Sequence, residues 1–418
     1  VNSALKGIGY LKNKLTNKRS RVLLRYRFYE QKAYAPDLGI STPQGLEWLS
    51  TINGWCSKAV DNLADRLQFD GFEDDTFEFQ TMFDQNNPDI FFDDAMLSAL
   101  ISSCCFVLVT RGAGKTPDEQ QRIRFQIIDG SNATGIIDDY TKLLTEGYAV
   151  LDRDENDNVK SWAYCTPGRT EIYVADQPDK PIAVETFDSS YCALVPIIYR
   201  PDAKRQFGHS RISRACMDYA KSAMRTIKRS EIAAEFYSFP QKYATGLSDD
   251  AEMLNSWQAS MSAMLTFTKD EDGERPTLGQ FQAASFTPHL EQLKAIASMF
   301  AGETGLTLDD LGFVTSNPSS AEAIKAGHEG LRLTATKAQR CFSVGFKNVG
   351  YIGACIRDER AYLREELFET KVLWKPTFEP DAQMLSAIGD GVLKLNQAFE
   401  NGSGFIDEGR MRRLTGIE

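Results

Sequence analysis

The sequence predicts an α+β fold in which helices bracket an inserted antiparallel sheet. Three observations lead there. Apolar residues recur at steps of three and four over 210–239, 287–305 and 319–356, the period of helices with one buried face. Between 124 and 200 the pattern changes to short aromatic and β-branched runs at 124–128, 147–151, 159–165, 171–174 and 195–199, separated by turn formers such as Asp129-Gly130, Asn156-Asp157-Asn158 and Pro167-Gly168. Finally, 418 residues that are 42% hydrophobic and 25% charged match an ordinary folded soluble protein with room for more than one compact unit. The mean hydropathy of -0.35 agrees.

Taken in order, residues 1–31 are basic, with Lys6, Lys12, Lys14, Lys18, Arg19, Arg21, Arg25 and Arg27. Leu11, Leu15, Val22, Leu23 and Tyr26 interleave with them, so an amphipathic helix with a solvated basic face is expected in preference to a nucleic-acid arm. Over 43–72, Leu46, Leu49, Ile52, Ala59, Val60, Leu63 and Leu67 keep helical spacing, and Gly71 reads as the stop. A helix over 90–103 and a strand over 105–110 follow.

Ser210 is expected to cap the helix over 210–239. Its apolar stripe is Ile212, Cys216, Tyr219, Ala223 and Ile227, and its charged stripe is Arg214, Asp218, Lys221, Arg225 and Lys228. Residues 240–285 read as a small α/β module, with a strand over 242–245, a helix begun by Ser248-Asp249-Asp250, and strands about the polar turn 269–276. Thr287-Pro288 then starts a helix that stops near Gly302 or Gly305.

The longest helix begins at a capping box, Ser319 with Glu322, and carries apolar residues from Ile324 to Ile356. At ~1.5 Å per residue it would span about 55 Å. Gly327, Gly330, Gly345, Gly350 and Gly353 along it mark close packing or a bend. A strand over 371–375 and two short helices from about 380 and 405 complete the chain.

Charge and cysteine usage bound the function. Lys plus Arg total 47 against 58 Asp plus Glu, a net charge of -11. Tight DNA binders carry a basic excess because phosphate neutralisation drives their affinity, so the chain is at most a surface past which DNA slides. The eight cysteines include no CxxC pair and are expected to be reduced thiols of a cytoplasmic protein. His209, His289 and His328 stand apart from one another and from any Cys pair, which argues against zinc. The longest apolar stretch, 95–110, is broken by Ser98, Ser102 and Ser103 and is shorter than the ~20 residues a bilayer span needs, so no membrane partner is expected. No secretory signal opens the chain, and Val1 in place of methionine suggests a start further upstream.

The strongest chemical motif is Arg111-Gly112-Ala113-Gly114-Lys115-Thr116, which invites a phosphate-binding loop and an alternative reading as a nucleotide hydrolase. The full pattern requires glycine five positions before Gly114, where Val109 stands, and Pro117-Asp118-Glu119 leaves little room for the helix that would hold the phosphate. A hairpin between two strands is the better reading. Acidic pairs at 74–75, 93–94, 138–139, 249–250 and 309–310 read as helix starts or solvated loops, because adjacent residues do not face one cavity. His328-Glu329 lacks the second histidine of a zinc protease, and no nucleophile–base set assembles from three histidines. An enzyme, a cofactor and a metal are therefore not expected. A non-DNA interaction scaffold is the other alternative.

Several strings, in order, resemble the portal (head-to-tail connector) proteins of long-tailed bacteriophages. They are Phe28-Tyr29-Glu30, Asn53-Gly54-Trp55, the run from Val60 through Asp65-Arg66-Leu67, and Asp70-Gly71-Phe72. Val195-Pro196, Gly208-His209-Ser210, Glu235 and Pro240-Gln241-Lys242-Tyr243 follow. Leu311-Gly312 with Asn317-Pro318-Ser319-Ser320-Ala321-Glu322-Ala323-Ile324 is the sharpest. His209 departs from the basic residue expected there.

The resemblance implies a wing (1–209 and 319–376), two stem helices (210–239 and 287–305), a clip (240–286), a tunnel loop (306–318) and a crown (377–418). It implies a homo-oligomeric ring, usually of twelve subunits, at one capsid vertex of the virion, assembled in the host cytoplasm. Double-stranded DNA would pass through it during packaging and ejection. The terminase motor, the major capsid and scaffolding proteins and a head-completion adaptor would be its partners. Thr307, Asp309, Asp310, Gly312, Thr315, Ser316 and Asn317 would line the channel, and Lys221, Arg225 and Lys228 would lie on a stem face.

Overall fold

Residues 104–109 read Cys-Cys-Phe-Val-Leu-Val, apolar without alternation, because the strand they form, β2 (Cys104–Arg111), is covered on both faces. Cys105, Val107 and Val109 point into the main helical core, while Cys104, Phe106 and Leu108 point into a second core between two sheets. The computed structural model describes residues 5–34, 42, 45–112, 122–238, 242–245, 277–280, 285–313, 325–377, 382–398, 406 and 411.

β2 is the centre of a three-stranded antiparallel sheet, between β3 (Ile123–Ile128) and β9 (Leu194–Ile198). The outer edge of β3 is closed by a side chain. Asn86 Nδ2 donates to the Ile123 carbonyl at 3.0 Å and its Oδ1 accepts from the Phe125 N–H at 3.0 Å, imitating the peptide group of a neighbouring strand.

Five further strands form an antiparallel sheet in sequence order: β4 (Ala133–Ile137), β5 (Leu144–Arg153), β6 (Val159–Thr166), β7 (Arg169–Val174) and β8 (Ala183–Thr186). Of the expected turns, 156–158 and 167–168 fall between these strands, with Asp157 and Gly168 at φ 67 and 68, while 129–130 lies between β3 and β4, so the one inserted sheet expected is two, with the runs 124–128 and 195–199 in the three-stranded one. Ala149, Ala163 and Cys165 face the second core, and their strand neighbours Tyr148, Val150 and Trp162 face the opposite way. That outer face is covered by α1 (Ile8–Tyr29) through Leu11 and Leu15.

The basic face of α1 departs from the expectation of a solvated one. Lys12 Nζ lies 4.2 Å from the centre of the Trp162 ring, and Lys18 Nζ lies 5.3 Å from that of Phe106. Lys14 donates to the Gly135 carbonyl at 2.8 Å, and burial lowers its pKa. Arg19 pairs with Asp157 at 2.6 Å. The lysine stems cover the sheet while their ammonium groups find rings and carbonyls, so much of this charge is engaged within the chain.

The main core gathers α2 (Trp55–Ala64), α3 (Phe79–Asp84), α4 (Pro88–Ser102), α5 (Arg214–Ser238), α6 (Thr287–Thr304) and α7 (Glu329–Arg357) against β2 and β9. The helix expected over 43–72 exists only as α2. Residues 69–73 are instead strand β1 (Phe69–Glu73), paired antiparallel with β12 (Lys371–Trp374), with Gly71 inside the strand at φ 142. The pairing places Phe69 on Phe92, centroids 3.6 Å apart, and edge-on to Trp374 and Phe346. Burying such a ring contributes ~1.5–3 kcal/mol, several times a residue's helix propensity, so the partner 300 residues away decides the conformation.

α7 has 29 residues, about 44 Å at ~1.5 Å per residue. Residues 325–327 are helical too, but His328, at φ -92 and ψ 1, interrupts the run. The capping box Ser319/Glu322 lies outside the described residues. Two of its glycines mark close packing. A Cβ on Gly345 would sit 2.7 Å from Ile197 Cδ1, and one on Gly350 would sit 2.7 Å from the Phe79 ring.

Strands β10 (Lys242–Thr245) and β11 (Thr277–Gln280) pair antiparallel between α5 and α6, and α8 (Ala382–Ala398) follows β12. The expected helices from 248 and from about 405 lie outside the described residues.

Candidate functional site

α5 and α6 pack against each other, and the sequence between Ile212 and Thr304 leaves and returns to the main core at one joint. Ser213, not Ser210, caps α5: its Oγ accepts from the Cys216 N–H at 3.1 Å and donates to Glu303 of α6 at 2.7 Å. Ser210 Oγ donates instead to the Ile101 carbonyl at 2.6 Å and accepts from the Ile212 N–H. Arg211 beside it is buried. Its Nε donates to the Ala59 carbonyl of α2 at 3.2 Å, and its Nη2 donates to the Thr304 carbonyl that ends α6.

Trp55 completes the joint. Its ring lies 5.6 Å from Phe300 of α6 and 6.4 Å from Phe313, just beyond Gly312. Trp55 of the string Asn53-Gly54-Trp55 thus meets Phe313 beside Leu311-Gly312, and Arg211, next to Gly208-His209-Ser210, reaches Ala59 of the helix that Trp55 begins. Sequence reasoning missed Arg211 and Phe313 because neither belongs to a periodic stripe. Two aromatic residues flanking the loop were the available signal.

Beyond Leu306, which is buried, the chain folds on itself. Asp310 Oδ2 accepts from the Thr307 N–H at 2.8 Å and from its Oγ1 at 2.9 Å, and lies 3.8 Å from His328 Nδ1. Residues Asp309–Leu311 make one tight turn, closed by Gly312 at φ 88. Asp309 and Gly312 are exposed, whereas Asp310 is half-buried and serves the turn. Thr315, Ser316 and Asn317 lie outside the described residues.

The charged stripe of α5 divides. Arg214, Asp218, Lys221 and Arg225 are exposed, Lys221 Nζ lying 5.8 Å from the Phe28 ring and Arg225 donating to Ser222 Oγ at 3.1 Å. Lys228 is only 6% exposed and so does not share that surface. At about 100° per residue, position 228 lies roughly 20° from Lys221 and roughly 40° from buried Met224, at the margin of the charged stripe.

The glycine-rich motif sits in a hairpin. β2 and β3 are antiparallel with Arg111 opposite Ile123, and the Gly112 N–H donates to the Arg122 carbonyl at 2.7 Å. A phosphate-binding loop joins a strand to a helix in a parallel sheet, and here both neighbours of β2 are antiparallel. Gly114, Lys115 and Thr116 lie outside the described residues. No group of three or more His, Cys, Asp or Glu among the described residues could hold a metal, and no described helix is long and apolar enough to cross a membrane. Seven cysteines are buried, Cys341 is half-buried, and all eight are free.

His209, where a basic residue was expected, binds Asp202 through Nε2 at 2.5 Å and lies 3.3 Å from Arg205. The contact holds the Asp202 carboxyl down at about 2.

Antiparallel sheets packed on helices, with one buried arginine tying α2 to the end of α6, define a multi-element α+β fold. In particular, the chain is similar to phage portal proteins over nearly its whole length. It is 22% identical over 407 residues to the portal protein of Mycobacterium phage L5, covering 92% of this chain and 80% of that one. It is 22% identical over 419 residues to the portal protein of Mycobacterium phage D29, covering 93% and 81%. No family model matches. Among solved structures it is similar to a chain of the virion of a native gene transfer agent particle, with 11% identity, TM-score 0.45 and 95% and 93% of the two chains covered. A chain from the neck of such a particle, computed with C12 symmetry, gives 12% identity, TM-score 0.46 and coverage of 96% and 99%.

Proposed function

We propose that this chain is a portal protein, one subunit of a ring that forms the DNA conduit at one vertex of a phage capsid. The observation that carries the reading is the likeness to two phage portal proteins over more than nine-tenths of the chain. In this reading the sheets, α1 to α4 and α7 form the wing, α5 and α6 the stem, β10 and β11 part of the clip, and α8 part of the crown. The loop 306–318 faces the channel with Asp309 and Gly312, while Asp310 and Thr307 hold its shape.

Lys221 and Arg225 serve the exposed stem face, against DNA or a neighbouring subunit, and Lys228 has a packing role. The ring docks a terminase that supplies the ATP hydrolysis, contacts capsid and scaffolding proteins during assembly, and later binds a head-completion adaptor in the virion. The acidic balance suits a conduit, since each neutralised phosphate would add affinity and slow the sliding duplex.

The test is negative-stain imaging with native mass measurement of the purified protein. A closed ring with a central hole is expected. A monomer at every concentration and salt would favour a scaffold and overturn the portal reading.

A further inference from the structure

Four arginines from three elements converge on one face of the chain. Arg21 and Arg25 stand one turn apart on α1, Arg205 comes from the loop before α5, and Arg214 opens α5. Arg25 is half-buried; it donates through Nε to the Ile212 carbonyl at 3.3 Å and through Nη1 to the Arg21 carbonyl at 3.2 Å. Burial, and then the charges of Arg21, Arg205 and Arg214, lower its pKa. The other three are exposed, and none of the four is ion-paired among the described residues.

Carboxylates border this face at Asp202, which His209 holds, at Asp218 on α5, and at Glu303, which accepts from the Ser213 hydroxyl. Exposed Lys204 and Lys221 stand among them, so the face stays basic on a chain whose net charge is -11. Leu24, which follows Arg21 by three residues and so lies beside it on α1, is 40% exposed.

The opposite imbalance lies in a cleft of ≈ 510 Å³ between α2 and α4, lined by Asp61, Asp65, Asp93 and Asp94. None of these carboxylates is ion-paired among the described residues. The Tyr29 hydroxyl donates to Asp61 at 3.0 Å, and Lys58 offsets part of the charge there. Burial, and then the charges of Asp94, Asp65 and Asp89, raise the pKa of Asp93. Ile90, one turn before Asp93 and Asp94 on the same side of α4, is 61% exposed.

We propose that these two faces meet between copies of the chain, the arginine face of one subunit lying over the aspartate-lined cleft of the next. The inference rests on the ring reading above and names a contact within it. Each face holds the charge the other lacks, and a guanidinium fork matches a carboxylate in shape as well as in sign. Leu24 and Ile90 give both faces an exposed apolar side chain beside the charges, as protein interfaces have. Along α1 the arginines do not extend into a phosphate track, because Lys14 and Lys18 turn to the Gly135 carbonyl and the Phe207 ring. A contact between two different patches of one chain is also the kind that propagates around a cycle.

The test is ring assembly by charge-reversed variants, followed by native mass measurement, with circular dichroism as the check on folding. Arg21→Glu with Arg214→Glu should raise the concentration needed for rings by at least about tenfold, and so should Asp93→Arg with Asp94→Arg. The four changes combined should bring it back towards the wild-type value. Should a reversed pair lose its helical signal, Arg21→Gln with Arg214→Gln, or Asp93→Asn with Asp94→Asn, takes its place and should weaken rings in the same direction. If the wild type forms no ring, the portal reading fails and takes this contact with it. If the wild type forms rings and either folded pair of changes leaves them as stable as before, or the combination restores nothing, the contact is wrong while the portal reading stands. Intact rings of the arginine variant that fail to retain DNA would assign the arginines to phosphate and equally overturn the pairing.

Discussion

Arg211 holds the end of α6 to α2: its guanidinium reaches the Thr304 carbonyl with one nitrogen and the Ala59 carbonyl with another. A charged hydrogen bond to a buried carbonyl is worth ~1.5–3 kcal/mol, and losing it leaves the carbonyl unsatisfied. Arg211→Ala is therefore expected to destabilise the fold by about 2–4 kcal/mol in urea unfolding. Arg211→Lys should recover only part, because an ammonium cannot span both carbonyls.

The glycines of α7 should answer oppositely to one substitution. Gly350→Ala drives a methyl group into the Phe79 ring and should cost about 1–3 kcal/mol. Gly330→Ala meets open space at an ordinary helical position and should stabilise by about 0.5–1 kcal/mol. Thermal melts of the two variants check the pair of signs.

Thiol labelling should distinguish Cys341 from the rest. It is the single cysteine that is not buried, while burial pushes the Cys165 thiol up to about 12 and that of Cys105 up well beyond its usual range. Native protein treated with a thiol reagent at pH 8 is expected to modify Cys341 first, and all eight only after unfolding. Rapid modification of several cysteines in the folded state would contradict the burial.

For the loop, deletion of 312–316 should leave rings intact and impair packaging or retention of DNA. Asp309→Lys, which places a cation at an exposed position there, should slow DNA passage and make it more sensitive to salt. Normal packaging of full-length genomes by the deletion variant would remove the loop from the channel.

Asp202 supplies a pH dependence whose sign is set by its lowered carboxyl, about 2 against an ordinary 3.8. A depressed carboxyl favours the folded state above its unfolded pKa, and that contribution is lost as pH falls from about 4 to about 2. Carboxyl carbon shifts followed by NMR should place the Asp202 midpoint near 2, and His209→Ala should move it back towards the ordinary value.

Much of this architecture was legible in the residues, and what was not has a common cause. The helix over 287–304, the strands β5, β6 and β7 and the turns between them follow from local period and turn chemistry, whereas β4 and β8 carry no run that was read as a strand. Residues 69–73 could not be read that way, because their strand exists only when β12 supplies its ladder. The basic residues of α1 looked solvated because sequence shows charge and not the aromatic rings awaiting it. Lys228 fitted a stripe by spacing, yet it is buried, because spacing does not show what packs over the margin of a stripe. The joint around Arg211 was invisible as a site, although the motifs that form it were each singled out, since nothing local says that they converge.

Asn86 has a bearing on how copies of this chain can join. By satisfying the Ile123 carbonyl and the Phe125 N–H itself, it denies that edge to a strand from another molecule. In the proposed ring, a neighbouring strand would find these two groups of the edge already bonded, which disfavours growth by extending one sheet across the boundary. Contacts made by side chains specify a register more sharply than a strand edge does, and a proposed ring that closes after a fixed number of members calls for joints of that kind.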